Sequence, residues 1–161
     1  MSVSRVREYL TPWALQDRIR EFTVSSATVD EAAAAVGCEP ARIAKTLSFL
    51  VGGKAVLIVM AGDAKVDNAK FKAFFHQKAT MLPPDSVQEL TGYAVGGVCP
   101  FALPEGASVY LDASLKRFET VFPSAGSSQS AVEMSTEELR QSTRASGWVD
   151  VGKGWGDVGD V

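Results

Sequence analysis

The chain has 161 residues, of which 46% are apolar and 22% are charged, and its formal net charge is −3. This length and apolar content suit one filled hydrophobic core and leave too little for two comfortable domains. The negative charge excludes a protein that coats nucleic acid with a uniformly basic surface, so any nucleic-acid partner must meet a local patch. No apolar stretch is long enough to cross a bilayer, and the first residues lack the apolar core of a secretion signal. We therefore expect a cytoplasmic protein with no membrane partner.

The first third of the chain shows helical patterns. Apolar residues spaced through residues 3–22, with Pro12 among them, predict a short helix, a break and a second helix over about 12–21. The segment VDEAAAAVG predicts a helix that ends at Gly37, and PARIAK predicts a short helical turn that begins at Pro40.

The pattern then changes to that of strands. TLSFLV and AVLIVMAG predict two strands joined by a tight Gly52-Gly53 turn, and the second is expected to be buried on both faces because its apolar residues are consecutive. Helices are predicted over DNAKFKAFF, PPDSVQELTG and MSTEELRQST, the last with a capping box between Ser135 and Glu138. SVYLD at 108–112 and WVDVG predict strands, and ASLKRFETVF between them reads as helical or extended.

Hairpin turns dominate, and the strands and helices alternate without a regular βαβ order. This favours an α+β fold: a single domain with a mixed, largely antiparallel sheet surrounded by helices. We place the domain over residues 1–151, followed by a Gly-rich C-terminal tail over 152–161 that we expect to be frayed.

The inventory of reactive side chains is small. His76 is the only histidine, Cys38 and Cys99 are the only cysteines, and no metal-ligand spacing or nucleotide-binding motif is present. We therefore expect no metal and no cofactor, and we expect two free thiols. A hydrolase that uses Cys99 and His76 stays a weak alternative, because a lone Cys and a lone His far apart carry little information.

Three features could hold chemistry, and each has a plain structural alternative. Lys45 is either a fixed cation for an anionic or carbonyl-bearing ligand or a surface lysine with its stem on apolar neighbours. The stretch GGVCP at 96–100 is either a tight turn or a loop whose amides approach a substrate carbonyl. The hydroxyl-rich SAGSSQS is either a plain loop or the wall of a small polar pocket.

Taken in order along the chain, these features resemble the YbaK and prolyl-tRNA-synthetase-associated editing domains, which remove wrong amino acids from tRNA. The resemblance covers roughly residues 24–140. It is carried by EPARIAKTLSF, AVLIVMAGDAKVDNAKFKAFF, TGYAVGGVCPFALP with its G-x-x-x-P pattern from Gly96 to Pro100, and YLDASLKRFETVFPSAG.

The resemblance implies a set of site residues. Lys45 would hold the terminal adenosine phosphate or the aminoacyl group, and the backbone at Gly96 and Gly97 would seat the aminoacyl ester. Lys45 and Gly96 are thus the implied catalytic residues, and the implied substrate-binding residues are Thr28, Tyr93, Gly97, Pro100 and Ser127. The attacking species in this family is water, helped by a ribose hydroxyl of the substrate, so that positioning would be the whole mechanism.

The resemblance also implies a trans-editing deacylase for tRNA mischarged with a small amino acid (Ser, Thr, Ala or Cys), with the aminoacylated 3′ end as partner and a synthetase as a further one. The branch of the family that removes cysteine has a Phe where this chain has Thr28, and an acidic residue near Ala131, which favours serine, threonine or alanine here. A non-catalytic module that binds tRNA ends or a synthetase is the alternative. Either function would use a basic patch, for which the sequence offers these residues: Arg42, Lys45, Lys65, Lys70, Lys72 and Lys78.

Overall fold

The structure is a computed structural model, which describes residues 2–155. The helices are α1 (Ser2–Leu10), α2 (Val29–Val36), α3 (Asn68–Phe75), α4 (Pro84–Thr91) and α5 (Thr136–Thr143). The strands are β1 (Ile19–Glu21), β2 (Ile43–Val51), β3 (Lys54–Ala61), β4 (Lys65–Val66), β5 (Ser108–Asp112), β6 (Thr120–Pro123), β7 (Ser130–Val132), β8 (Met134–Ser135), β9 (Gly147–Val149) and β10 (Gly152–Lys153). No helix in this part of the chain is both long and apolar enough to span a membrane.

A six-stranded sheet with the order β8-β6-β2-β3-β5-β9 forms the centre of the molecule. The longest pairing is the antiparallel β2–β3 hairpin, which runs from Ala44 opposite Ala61 to Val51 opposite Lys54. Three of the five neighbouring pairs in this sheet are parallel, and β1–β7 and β4–β10 add two small antiparallel ribbons. The predicted single α+β domain with a mixed sheet is confirmed, but the central sheet is not largely antiparallel, because three of its five neighbouring pairs are parallel.

Both faces of β3 are buried, as its consecutive apolar residues predict. Leu57 and Val59 point into the larger core, to which α1, α4 and the loop after α4 contribute. Ile58 and Met60 point into the opposite core, where Phe71 of α3 packs. The sheet is therefore a middle layer between two apolar clusters.

Several predicted elements differ in the structure. Residues 11–13 and 16–18 form two 3-10 turns instead of the second helix predicted over 12–21, since Pro12 and the left-handed residue Ala14 interrupt the helix. Strand β2 begins at Ile43, so Lys45 lies inside the strand and not at its junction with the preceding turn. The ambiguous segment after β5 divides into a 3-10 helix (Ala113–Arg117) and β6.

Ordered structure continues past the domain boundary drawn at residue 151. Gly152–Lys153 pairs with Lys65–Val66, and Trp155 packs against the core on the α3 side. Residues 156–161 of the expected tail lie outside the described residues.

The buried carboxylate of Asp112 fixes this part of the chain. Its Oδ2 accepts a hydrogen bond from the Ser114 amide at 3.0 Å, and its Oδ1 accepts one from the Val151 amide at 2.9 Å. Asp112 has no exposed surface. One side chain thus satisfies two buried backbone donors, at the end of β5 and ahead of β10.

Replacing Asp112 tests this arrangement. Asp112→Ala leaves two buried N–H groups without an acceptor and should lower the free energy of unfolding by about 2–4 kcal/mol. Asp112→Asn keeps one oxygen acceptor and should lie between that variant and the wild type. Urea unfolding of both variants is compared with Glu105→Ala, which removes an exposed carboxylate. A loss for Asp112→Ala no larger than that of Glu105→Ala would contradict the assignment.

Candidate active site

A cavity of about 470 Å³ lies against the outer edge of β2. The start of α2, the start of α4, the loop after α4 and the β6–β7 connection enclose it. Its lining contains both polar and apolar residues. The polar side chains that line it are Ser26, Thr28, Lys45, Thr46, Ser48, Ser124 and Ser130. The apolar ones are Ala27, Val29, Ala32, Ile43, Ala44, Leu47, Met81, Leu82, Pro84, Val87, Val95, Val98, Phe122 and Ala131.

The cavity exists because the outer edge of β2 is only partly paired. Strand β6 pairs with β2 at Ile43 and Ala44. Further along, Leu82 N donates to Ser48 O at 3.1 Å, and Leu50 N donates to Thr80 O at 2.8 Å. In the described part of the chain, no strand pairs with this edge between those two contacts. The gap is centred on Thr46.

The backbone of Thr46 faces this gap. In an antiparallel pair, backbone groups alternate between the partner strand and the other side. Ser48 and Leu50 direct their backbone N–H and C=O groups away from β3. Thr46 precedes them by two and four residues, so its backbone groups point in the same direction. Its N–H and C=O therefore point from the strand edge toward the cavity.

The Thr46 side chain adds a second unusual group. Its Oγ1 is buried and has no hydrogen-bond partner among the described residues. An unpaired buried hydroxyl costs about 1–3 kcal/mol. The sequence analysis did not single out this residue, because β2 also contains Lys45 and Ser48 and nothing local distinguishes Thr46 from them.

Lys45 lies on the opposite face of β2 from Thr46 and also lines the cavity. Its side chain is half-buried, and its Nζ donates a hydrogen bond to Ala64 O at 2.5 Å. Burial lowers the pKa of the Lys45 ammonium, with neighbouring Asp63 opposing the shift and Lys65 adding to it. Asp63 itself accepts two hydrogen bonds from Arg117, at 2.6 and 2.9 Å. Lys45 is thus a partly desolvated cation and not a plain surface lysine.

Thr28 and Gly96 reach the same cavity from two other directions. Thr28 is the N-cap of α2: its Oγ1 accepts from the Glu31 amide at 3.1 Å, and the Glu31 carboxylate accepts from the Thr28 amide at 3.3 Å. Gly96 has φ of +90°, and a Cβ there would meet nothing within 4 Å. The structure therefore brings Lys45, Thr28 and Gly96 together.

The other implied site residues do not line this cavity. The Tyr93 hydroxyl donates to Phe101 O at 2.5 Å, and the ring lies in the larger core. Pro100 is buried. A Cβ on Gly97 would approach Ser127 Cα to 3.2 Å, so the bare backbone of Gly97 allows two loops to pack closely.

Ser127 turns away from the cavity and contributes to a separate hollow. Its Oγ donates to Ser130 Oγ at 2.9 Å, and its backbone oxygen accepts from Ser124 Oγ at 3.1 Å. Ser124 and Ser130 are the residues of this loop that line the cavity. Tyr93, Gly97, Pro100 and Ser127 thus lie outside the lining of this cavity, and their contact with a substrate stays a prediction.

The alternative of a cysteine nucleophile is not supported by the structure. Cys99 is fully buried in the larger core, and burial raises the pKa of its thiol to about 12. His76 ends α3 in a left-handed conformation. In the described residues no three His, Cys, Asp or Glu side chains come together as a metal site.

The six cations of the expected basic patch have different surroundings in the structure. Of its six cations, Lys45 alone lines the cavity. Arg42 forms an ion pair with Glu133 at 3.6 Å, and Lys70 forms one with Asp150 at 3.2 Å. The charge available to a partner therefore differs from the charge counted along the sequence.

A family model and curated relatives both relate the sequence of this chain to aminoacyl-tRNA editing domains. Residues 23–142 match the model of the aminoacyl-tRNA editing domain. The uncharacterized protein YwhH of Bacillus subtilis (strain 168) is 49% identical over 156 residues, which are 96% of this chain and 99% of YwhH. The proline–tRNA ligase of Lysinibacillus sphaericus (strain C3-41) is 29% identical over 104 residues, which are 64% of this chain and only 18% of the ligase.

Solved structures show the same likeness. A protein described as a candidate trans-editing enzyme for prolyl tRNA synthetase superposes with a TM-score of 0.85 at 30% identity, covering 95% of this chain and 98% of that one. The hypothetical protein APE2540 superposes with a TM-score of 0.82 at 31% identity, covering 92% of this chain and 99% of that one. Since the family model matches most of its length, the chain belongs to the aminoacyl-tRNA editing domain family.

Proposed function

We propose that this protein is a trans-editing deacylase, which hydrolyses the ester of a tRNA mischarged with a small amino acid. The observation that carries the proposal is the cavity at the open edge of β2, where Lys45 and Thr46 present an ammonium, a hydroxyl and free backbone groups. The volume of the cavity is in the range of small-molecule sites. The family and the candidate trans-editing neighbour support the reaction class.

The proposed mechanism is one of orientation and charge stabilisation. Hydrolysis of an ester develops negative charge on the carbonyl oxygen. The Thr46 amide and the Lys45 ammonium are donors that could face that oxygen, and the Thr46 carbonyl could accept from the substrate's amino group. Water attacks the ester with help from a ribose hydroxyl of the substrate, as the family resemblance implies. No enzyme nucleophile is needed.

The proposed seat of the amino acid is the part of the cavity beside the hydroxyl side chains of its lining. Thr28 and Ala131, which the resemblance aligns with specificity positions, both line it. The Thr28 hydroxyl accepts from the Glu31 amide and keeps its own proton available to a ligand. Neighbouring Ser124 and Ser130 add hydroxyls. We propose serine, threonine or alanine ahead of cysteine as the amino acid removed.

A panel of tRNAs charged with serine, threonine, alanine and cysteine tests the function directly. Release of a free amino acid above the uncatalysed rate supports the deacylase, and the order of kcat/KM gives the specificity. Binding of charged tRNA without hydrolysis of any member would instead favour the non-catalytic module that binds tRNA ends or a synthetase.

The first variant addresses Lys45. Lys45→Met keeps an unbranched stem and removes the charge, so we expect kcat/KM to fall about 100-fold or more. The free energy of unfolding should change by less than about 1 kcal/mol, because the loss of one hydrogen bond is offset by relief of a desolvated charge. Lys54→Met removes an exposed charge beside the β2–β3 turn and is the control. Equal rates for Lys45→Met and the wild type would remove Lys45 from the mechanism.

The second variant addresses Thr46. Thr46→Val replaces an unpaired buried hydroxyl with a methyl group of similar size, so stability should stay the same or rise by about 1 kcal/mol. Deacylation should fall about tenfold if the hydroxyl binds substrate. A thermal melt and a single-turnover assay on one preparation give both numbers. A variant that is more stable and fully active would show that the hydroxyl has no partner in the reaction either.

The next two variants, Gly96→Ala and Gly106→Ala, test the glycine loop. Gly96 and Gly106 both have positive φ, at +90° and +102°, and a Cβ at either would meet nothing within 4 Å. Alanine should therefore strain both by about 1–2 kcal/mol. Only Gly96 lines the cavity, so Gly96→Ala alone should abolish hydrolysis. If the folded fractions of both variants deacylate at the wild-type rate, Gly96 serves only the turn.

A further inference from the structure

Two arginines, Arg20 and Arg42, lie against one wall of the cavity. The ring of Phe122 forms part of that wall. The guanidinium carbon of Arg42 lies 5.1 Å from the centroid of this ring, and that of Arg20 lies 5.8 Å from it. Both cations also act electrostatically on the Cys38 thiol nearby. Arg20 and Arg42 are therefore neighbours in space although 22 positions separate them in the sequence.

Strand β1 directs Arg20 to the cavity side. In the β1–β7 ribbon Arg20 is directly opposite Ala131. Residues directly opposite each other share a face of the ribbon, and Ala131 lines the cavity. Arg20 is exposed, and in the described part of the chain its guanidinium makes no hydrogen bond or ion pair. It is a cation without a polar partner beside the site.

Arg42 differs in being held in place. Its Nε donates to Thr120 O at 3.2 Å, and its Nη2 donates to Thr120 Oγ1 at 2.5 Å. Glu133 lies 3.6 Å from Nη2, and its side chain is 45% exposed. The Nη1 group makes no hydrogen bond to any described residue. Arg42 thus presents N–H donors in a fixed position. An anion that binds to them would either displace the Glu133 carboxylate or lie beside its negative charge.

We propose that Arg20 and Arg42 bind the phosphodiester of the terminal nucleotides of the tRNA while the aminoacyl ester occupies the cavity. The assignment of the partner as tRNA rests on the proposed function. Guanidinium groups bind phosphate oxygens through paired, charge-assisted hydrogen bonds. A protein with a net charge of −3 needs such a local cluster to hold a polyanion.

Binding of deacylated tRNA tests the arginine pair without requiring hydrolysis. Arg20→Gln should weaken the Kd about fivefold at low salt and reduce the slope of log K against log salt concentration by about 0.7, the value for one phosphate contact in a single strand. Lys54→Gln is the matched control, since it removes one exposed positive charge beside the β2–β3 turn. It should leave both quantities unchanged.

Glu133→Gln gives an expectation of the opposite sign. The amide still accepts the hydrogen bond that Thr120 Oγ1 donates to Glu133 at 2.8 Å, but the competing negative charge is gone. tRNA binding should therefore tighten about two- to threefold. Weaker or equal binding in Glu133→Gln would contradict a phosphate at this position.

A phosphate-free substrate separates this proposal from the deacylase itself. The ratio of kcat/KM for aminoacyl-tRNA to that for aminoacyl-adenosine should fall about fivefold in Arg20→Gln, because only the first substrate has the phosphodiester. If Arg20→Gln leaves this ratio unchanged, or binds tRNA as tightly as the wild type does, the proposal that Arg20 and Arg42 bind the phosphodiester is wrong. If the wild type hydrolyses neither ester, the deacylase is wrong, and the comparison of Kd values still decides the role of the two arginines.

Discussion

The incomplete pairing of one strand edge determines the rest of the site. β2 pairs with β3 from Ala44 to Val51, but within residues 2–155 its other edge has partners only toward the two ends of this length. Backbone groups left unpaired inside a protein are costly, so such a gap is retained only where water or a ligand can satisfy them. The pairing between β2 and β3 is long, and β3 lies between two apolar clusters. The open edge of β2 is therefore held in place although it has no neighbouring strand over the gap.

The loops that cover this gap are themselves held by contacts with each other. Gly97 packs on Ser127, and the hydroxyls of Ser124, Ser127 and Ser130 bond within their own loop. These contacts explain why only some residues of each loop reach the cavity. Gly97 and Ser127 meet each other, which leaves Gly96 and Ser130 on the cavity side. A rigid frame of this kind favours a mechanism that depends on orientation.

Local patterns were enough for most helices and for the central hairpin. The capping boxes at Thr28 and Ser135 and the consecutive apolar residues of β3 follow from short-range chemistry that a sequence displays directly. The short strands β1, β4, β7, β8 and β10 were not predicted, since strands of two or three residues are defined by their distant partners.

The candidate site was predictable in part for the same reason. Lys45, Thr28 and Gly96 belong to segments whose order along the chain resembles the family, and the structure brings them to one cavity. Tyr93, Pro100 and Ser127 belong to the same segments, but the direction of each side chain depends on tertiary packing. Thr46 and Arg20 have no local signal, because an open strand edge and a ring shared by two arginines are visible only in the folded structure.

The two roles of Thr28, as helix cap and as part of the cavity wall, have an evolutionary consequence. As the helix cap it contributes about 1 kcal/mol to α2, and as part of the cavity wall it shapes the space for a ligand. A large apolar residue here would reshape the wall at the expense of the helix, whereas serine, asparagine or aspartate would keep the cap. A change in the shape of the cavity wall at this position is therefore coupled to the stability of α2, and a change to a bulky residue needs compensation elsewhere in the chain.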